Sequence, residues 1–330
     1  MTNPMPQIEL PERLARGRPP LRLDPSVLMV LVGCVVLVAG GAVIYPAFLG
    51  PAYLLQQLQI AAFLGIIATG AMLVILLGEI DLSIPLTITG TAIVTTQFAG
   101  ASHAAVAALA IPIGLAAGAL IGFVNGIGVA VFRIPGMVWT LATNAMLLGA
   151  TVFYTGGFKP QGVVPVLASQ AALGRTFGVP NAFLVWLAVA AATIWALNRT
   201  VYGVYLYAMG NSQRALFLSG ARVRRVTVAT FMLAGLLSSL GSLLLTGYAN
   251  QAYQGMGDGY LLPVIAAVVI GGTSILGGSG SYLGTFAGAI FITLLSSILS
   301  VLQMPAAARQ IVFGGIILSM LLAHRFRTRG

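Results

Sequence analysis

The feature that most restricts this chain is the recurrence of long apolar stretches with almost no charge inside them. About twenty such residues cross a bilayer as a helix. Ten segments are candidates: 27–48, 53–77, 84–98, 103–131, 135–154, 181–197, 226–248, 260–276, 282–302 and 306–323. The third and tenth are short, and the fourth is long and rich in glycine. Of 330 residues, 58% are hydrophobic and 7% charged, against about 25% charged in a soluble domain. The sequence therefore predicts an all-α integral membrane protein, a glycine-rich packed bundle of about ten transmembrane helices. Residues 27–323 form the membrane domain, between basic tails at 1–26 and 324–330. The first apolar run lacks a convincing signal-cleavage site and reads as an anchored helix behind a proline-rich tail.

Charge decides sidedness. The segment 209–225, MGNSQRALFLSGARVRR, is a polar island between apolar runs. Burying Arg222, Arg224 and Arg225 at mid-bilayer would cost roughly 8–10 kcal/mol, and arginine-rich loops stay in the cytoplasm. With both termini inside and ten spans, the inner set is Arg13, Arg16, Arg18, Arg22, Arg133, Arg199, Arg214, Arg222, Arg224, Arg225, Arg325, Arg327 and Arg329. Only Lys159, Arg175 and Arg309 then lie outside. The net charge of +10 is thereby explained without nucleic acid. The longest outer loop, 155–180, has the glycines and prolines of an ordered segment with room for a short helix. Cys34 stands alone and forms no disulfide or metal framework.

Small residues mark close helix approach. Gly114, Gly118, Gly122 and Gly126 recur every fourth position, and Gly284 and Gly288 repeat the spacing. Such rows clear one helix face for a neighbour's backbone. Polar residues within spans admit two readings, a pathway for a hydroxylated solute or interhelical hydrogen bonding. Asn125 adjoins the glycine row, and Thr140, Thr143 and Asn144 share one helix face. The island LGEIDLSIP at 77–85 carries Glu79 and Asp81. Carboxylates at a membrane edge are functional candidates, or else this is a solvated turn in which Asp81 and Ser83 cap the next helix. Besides these two, only Asp258 could serve proton coupling, and none of the three lies mid-span. The chain has no GxxxxGK[ST] loop, and its one lysine is Lys159. The chain thus binds no ATP by a Walker-type loop, and if transport is ATP-driven the ATPase is a separate subunit. GGTSILGGSG at 271–280 superficially resembles a phosphate loop but lacks the lysine, and reads as a tight turn. No nucleophile–base pair or metal set is evident, so the chain reads as a transport subunit, not an enzyme, with no cofactor.

Four segments carry a family resemblance: LGEIDLS at 77–83, VNG at 124–126, YAMGNSQRALFLSG at 207–220 and AAVVIGGTSILGGSG at 266–280. In this order they resemble permease subunits of bacterial ABC importers for monosaccharides of the ribose, xylose, arabinose and galactose type. The likeness runs from about Leu54 to Leu322. Glu79 and Pro85 depart from it, since glycine is usual at both places. The resemblance implies an inner-membrane permease that pairs with a second permease subunit. It would receive sugar from a periplasmic binding protein and be driven by cytoplasmic ATP-binding subunits. It further implies a short coupling helix formed by Asn211, Ser212, Gln213, Arg214, Ala215, Leu216, Ser219 and Gly220, with Asp81, Asn125, Thr140, Thr143 and Asn144 as pathway candidates. A permease for branched-chain amino acids or nucleosides, and a self-sufficient secondary carrier, are the competing expectations.

Overall fold

The computed structural model describes residues 25–157, 160 and 162–327, apart from the side chains of 25, 26 and 321–327. Arg13, Arg16, Arg18, Arg22, Lys159 and Arg329, counted above for sidedness, lie outside the described residues, as do the side chains of Arg325 and Arg327. The described residues form thirteen α-helices and one two-stranded hairpin. In chain order these are α1 (Pro25–Ile44), α2 (Pro51–Leu76), α3 (Ile84–Ala99), α4 (Ala104–Ala108), α5 (Ala110–Ala130), α6 (Gly136–Thr155) and α7 (Val166–Leu173). There follow β1 (Arg175–Thr176), β2 (Val179–Pro180), α8 (Asn181–Arg199), α9 (Val201–Leu218), α10 (Val223–Ala249), α11 (Leu261–Ile270), α12 (Tyr282–Val301) and α13 (Ala306–Arg327).

The bundle is organised around α2. Residues 61 to 77 are buried without interruption, as a helix apolar on every side must be. It packs against α10, α12, α8 and α11. Trp186 of α8 is fully buried and stacks on Phe286 of α12 with ring centroids 4.0 Å apart. A Cβ on Gly65 of α2 would collide with that indole. By contrast α1, α5, α6 and α8 leave most of their surface outside the core, as helices at the rim of a membrane bundle do.

Seven described helices are long and apolar enough to span: α1, α2, α5, α6, α8, α10 and α12. The protein is thus an all-α, multi-pass membrane protein. Helix α3 has 16 residues. The eighth expected span differs most from its sequence reading. Only Leu261–Ile270 is helical, about 15 Å at 1.5 Å per residue. Turns at 254–260 precede it, and a glycine-rich loop follows. Non-helical backbone at membrane depth must be satisfied by protein, and the Gly257 amide donates to Thr89 Oγ1 of α3 at 3.1 Å. The fourth expected span, 103–131, breaks near Leu109 into α4 and α5. Helix α9, absent from the expected spans, is separated from α8 by Thr200 alone.

The loop 155–180 contains a short helix, α7, and the β1–β2 hairpin. The hairpin turns through Phe177 (φ 52°) and Gly178 (φ 80°), positive angles suited to a two-residue connection. Gln59 near the start of α2 donates to Ala172 O of α7 at 2.7 Å, which ties this loop to the core helix.

Candidate coupling and transport site

Between α2 and α3 the chain is not helical from 77 to 83, so the first amides of α3 need outside acceptors. Helix α6 meets this break along one face, and its Asn144 serves one of the α3 amides. Gly136 N donates to Glu79 Oε2 at 2.8 Å, Thr140 Oγ1 accepts from Leu82 N at 2.8 Å, and Asn144 Oδ1 accepts from Leu86 N at 3.3 Å. Thr140 also donates to Gly136 O at 2.8 Å. Helix α5 reaches the same break through Asn125, whose Nδ2 donates to Ser83 Oγ at 2.8 Å. Ser83 in turn donates to Asp81 Oδ1 at 2.6 Å, and Ser83 N donates there at 2.8 Å.

Four of the five pathway candidates therefore meet at this break: Asp81, Asn125, Thr140 and Asn144. Thr143 lies on the same helix but donates to Trp139 O of its own turn, at 3.1 Å. Asp81 is only 6% exposed, so the expectation of a solvated turn fails. Two hydrogen bonds from Ser83 replace water around that carboxylate. Asn125 is fully buried, and its Oδ1 has no hydrogen-bond partner. Glu79 is half-buried, and burial raises its pKa above the ordinary carboxylate value, with the Gly136 amide working in the opposite direction.

The glycine row lies where α5 meets α10. An added Cβ on Gly122 would meet Phe231 O, and one on Gly118 would meet Ser239 and Gly235 O. At Gly126 the nearest atom would be Val228 Cα, 2.6 Å away. Gly114 faces Thr95 of α3 instead. Gly284 and Gly288 approach the backbone of Gly271 and Ala267, which lets α12 lie against the short α11.

The arginine-bearing island folds as the end of α9, a turn and the start of α10. Helix α9 is broken at Ser212, where φ is −162° and ψ 97°. Ser212 Oγ accepts from Ala215 N at 3.2 Å, in the manner of an N-cap for the short helical piece that follows. In that piece Leu216 is buried, while Phe217 and Leu218 are 68% and 79% exposed. Gln213, Arg214, Ala215 and Ser219 are exposed. Gly220 ends the piece at φ 81°. Beside it lies a cavity of about 1020 Å³, lined by Arg133, Arg214, Arg222, Arg224 and Arg225, with Glu79 the one carboxylate in its wall.

Before that break, Asn211 Nδ2 donates to Tyr207 O at 2.9 Å and to Gly278 O at 3.0 Å. Tyr207 donates to Gly280 O at 3.0 Å. Gly278 N donates to Leu76 O, the end of α2, at 3.0 Å. A Cβ on Gly277 would stand 2.6 Å from Gly78 N and 3.0 Å from Gly210 Cα. Gly78, Gly277 and Gly278 all have positive φ, so this three-way backbone contact needs glycine twice over. The sequence marked these three segments separately. Only the fold shows that they touch, since nothing in composition links positions 78, 210 and 277.

The chain matches, over residues 53–321, the family described as branched-chain amino acid transport system / permease component. It is 34% identical over 295 residues to the ribose import permease protein RbsC of Escherichia coli (strain K12), covering 88% of this chain and 91% of that protein. It is 32% identical to RbsC of Haemophilus influenzae, covering 89% and 92%. The autoinducer 2 import system permease protein LsrC of Escherichia coli O9:H4 (strain HS) is 32% identical, with 84% and 82% covered. No solved structure matches. By the extent of these matches, the chain belongs to the family of branched-chain amino acid transport system permease components.

Proposed function

We propose that this chain is the permease subunit of an ATP-driven importer that passes a monosaccharide from a periplasmic binding protein to the cytoplasm. The observation that carries the reading is the junction of Gly78, Gly210 and Gly277. It joins the exposed helical piece after Ser212 to the broken backbone at 77–83. A push on the first is felt at the second through backbone packing, without flexible side chains between. Interiors packed this tightly transmit displacement instead of absorbing it.

In this reading, residues 211–220 dock on an ATP-binding subunit in the cytoplasm, with Phe217 and Leu218 as the apolar contact. The basic cavity receives acidic groups of that subunit. Asp81, Asn125, Thr140, Thr143 and Asn144 flank the sugar path. Neutral amides and hydroxyls suit a substrate made of hydroxyls. A second permease subunit completes the path, and the inner membrane is the location. The basic tails 1–26 and 324–330 lie in the cytoplasm. The relatives named for ribose import favour a sugar over an amino acid.

Reconstitution tests it. In liposomes holding this chain, its ATP-binding subunit and its binding protein, sugar uptake should require ATP. Ala215→Trp should abolish sugar-stimulated ATP hydrolysis while the chain remains in the membrane. Uptake by this chain alone on an ion gradient would establish the secondary carrier instead.

A further inference from the structure

A cavity of about 580 Å³ lies between the first turns of α2, the last turns of α12, the start of α13 and the residues leading into α11. Its lining on α2 runs from Tyr53 to Leu64, about 18–35 Å along the helix from the junction at Leu76 at 1.5 Å per residue. None of the residues assigned above to coupling or to the sugar path lines it. Its wall is rich in neutral hydrogen-bonding groups: Gln56, Gln57, Tyr260, Thr293 and Ser297 all contribute. Arg309 is the one charged residue in the lining, and its Nη1 donates to Ser300 Oγ at 2.6 Å. Phe313, 4% exposed, contributes to the apolar part of the wall.

Some of these groups are already held. Tyr53 and Ser297 share a hydrogen bond of 2.7 Å, and Thr293 donates to Ala289 O at 2.8 Å, keeping acceptor capacity on its oxygen. Gln57 is different. It is 6% exposed, and its Oε1 has no hydrogen-bond partner. Buried amide oxygens are nearly always paired, so an orphan needs an explanation. A ligand hydroxyl would provide the missing donor once the Gln57 amide turns toward the cavity, since in this structure its Oε1 is closed off from the open space. No carboxylate lines the cavity to hold an amine. A lone, already engaged arginine is not the donor cluster that a phosphate requires.

We propose that this cavity binds a neutral, polyhydroxylated molecule of monosaccharide size inside a single permease chain, with Gln57 and Thr293 as its polar anchors. The choice of a sugar as the polyol rests on the permease reading. The pocket chemistry stands without it.

The test uses the chain assembled with its ATP-binding subunit in nanodiscs, without nucleotide or binding protein. D-ribose and D-galactose are the probes, D-ribose 5-phosphate is the charged comparator, and binding is measured by calorimetry. At least one of the two sugars should bind. Gln57→Leu and the nearly isosteric Thr293→Val should each weaken that binding about tenfold, the loss of one hydrogen bond. Arg309→Gln should leave it within about twofold. If Gln57→Leu fails to assemble, Thr293→Val carries the test. Absence of binding to the unmodified complex would overturn the proposal, as would equal affinity in the anchor variants. Tighter binding of ribose 5-phosphate that disappears in Arg309→Gln would also overturn it, by identifying an anion site such as one for a lipid headgroup. ATP-driven uptake in matching proteoliposomes separates the two ideas. Uptake without chain-bound sugar sinks only this cavity, whereas absent uptake sinks the permease reading and leaves the calorimetry to decide the pocket.

Discussion

Thr140 holds two backbone segments at once, taking the amide of Leu82 and giving its proton to Gly136 O. Valine keeps its shape and removes both bonds. Thr140→Val should therefore destabilise the chain by about 1–3 kcal/mol, the cost of leaving a buried amide unpaired. The measurement is the melting temperature of the purified chain in detergent, and an unchanged value would show that the break at 77–83 is braced from elsewhere. Glu79 allows a test by pH. Its folded pKa is raised by burial, so the fold favours the protonated form. The penalty for ionising it is absent below the unfolded pKa, grows as pH rises toward the folded value, and is complete above that. Glu79→Gln keeps an acceptor for Gly136 N and stays neutral. Its melting temperature relative to the parent should rise as pH increases through that window and level off above it. A difference independent of pH would mean that folding leaves this carboxylate's pKa unchanged, and one that falls with rising pH would mean that the neighbouring arginines outweigh burial. An added Cβ on Gly136 would meet Glu79 Oε2 at 2.5 Å, so a glycine on α6 leaves the room that this carboxylate occupies.

At the scale of elements, helix pairs here are set by backbone proximity, and glycine spacing in the sequence was enough to mark them. Gly122→Leu would drive a side chain into Phe231 O of α10. Overpacking of this kind costs about 1–3 kcal/mol or more, and separation of α5 from α10 should appear as loss of the monodisperse peak on size-exclusion chromatography. Gly149, with nothing within 4 Å of an added Cβ, is the matched control and should tolerate alanine. For the coupling piece, Ala215 is the better target than Gly220. Ala215 is exposed and helical, whereas any side chain at Gly220 meets a strained backbone at φ 81°, so its loss of function would have two causes. The spans α2, α5, α6, α8, α10 and α12 could be located from hydropathy within a turn or two. Helix α11 could not, because Val264 to Ile270 and the residues beyond Thr273 are equally apolar or small. Gly272, with positive φ, closes the end of the helix, and the positive-φ glycines at 277, 278 and 280 keep the following loop from resuming it, none of which hydropathy registers. The break of α9 at Ser212 was legible, because Gly210, Asn211 and Ser212 are weaker helix formers than their neighbours and the family resemblance already began a short helix at Asn211.

For the whole molecule, the fold sorts polar features to two ends before any membrane is considered. One end holds Leu76, Glu79, Gly136, Asn211 and Gly278, linked by hydrogen bonds, together with the arginines of the large cavity. The other holds Gln59 with Ala172, Tyr53 with Ser297, and Arg309 with Ser300. Among the described residues, Arg133, Arg214, Arg222, Arg224 and Arg225 gather at the first end, the face that the positive-inside bias would place in the cytosol. Arg224 and Arg225 sharpen the point. They occupy the first turn of α10, where the helix dipole disfavours cations, so their placement answers to something outside the helix. Labelling decides the matter. Cys34 is the only native cysteine, so a Cys34→Ser background is silent. Ser219→Cys, exposed beside the coupling piece, should react with a membrane-impermeant maleimide only in inside-out vesicles. Phe177→Cys, on a hairpin tip whose side chain is fully exposed, should react only in right-side-out spheroplasts. Reaction of both from one side would remove the docking of an ATP-binding subunit at 211–220, and with it the route by which that subunit could move the break between α2 and α3.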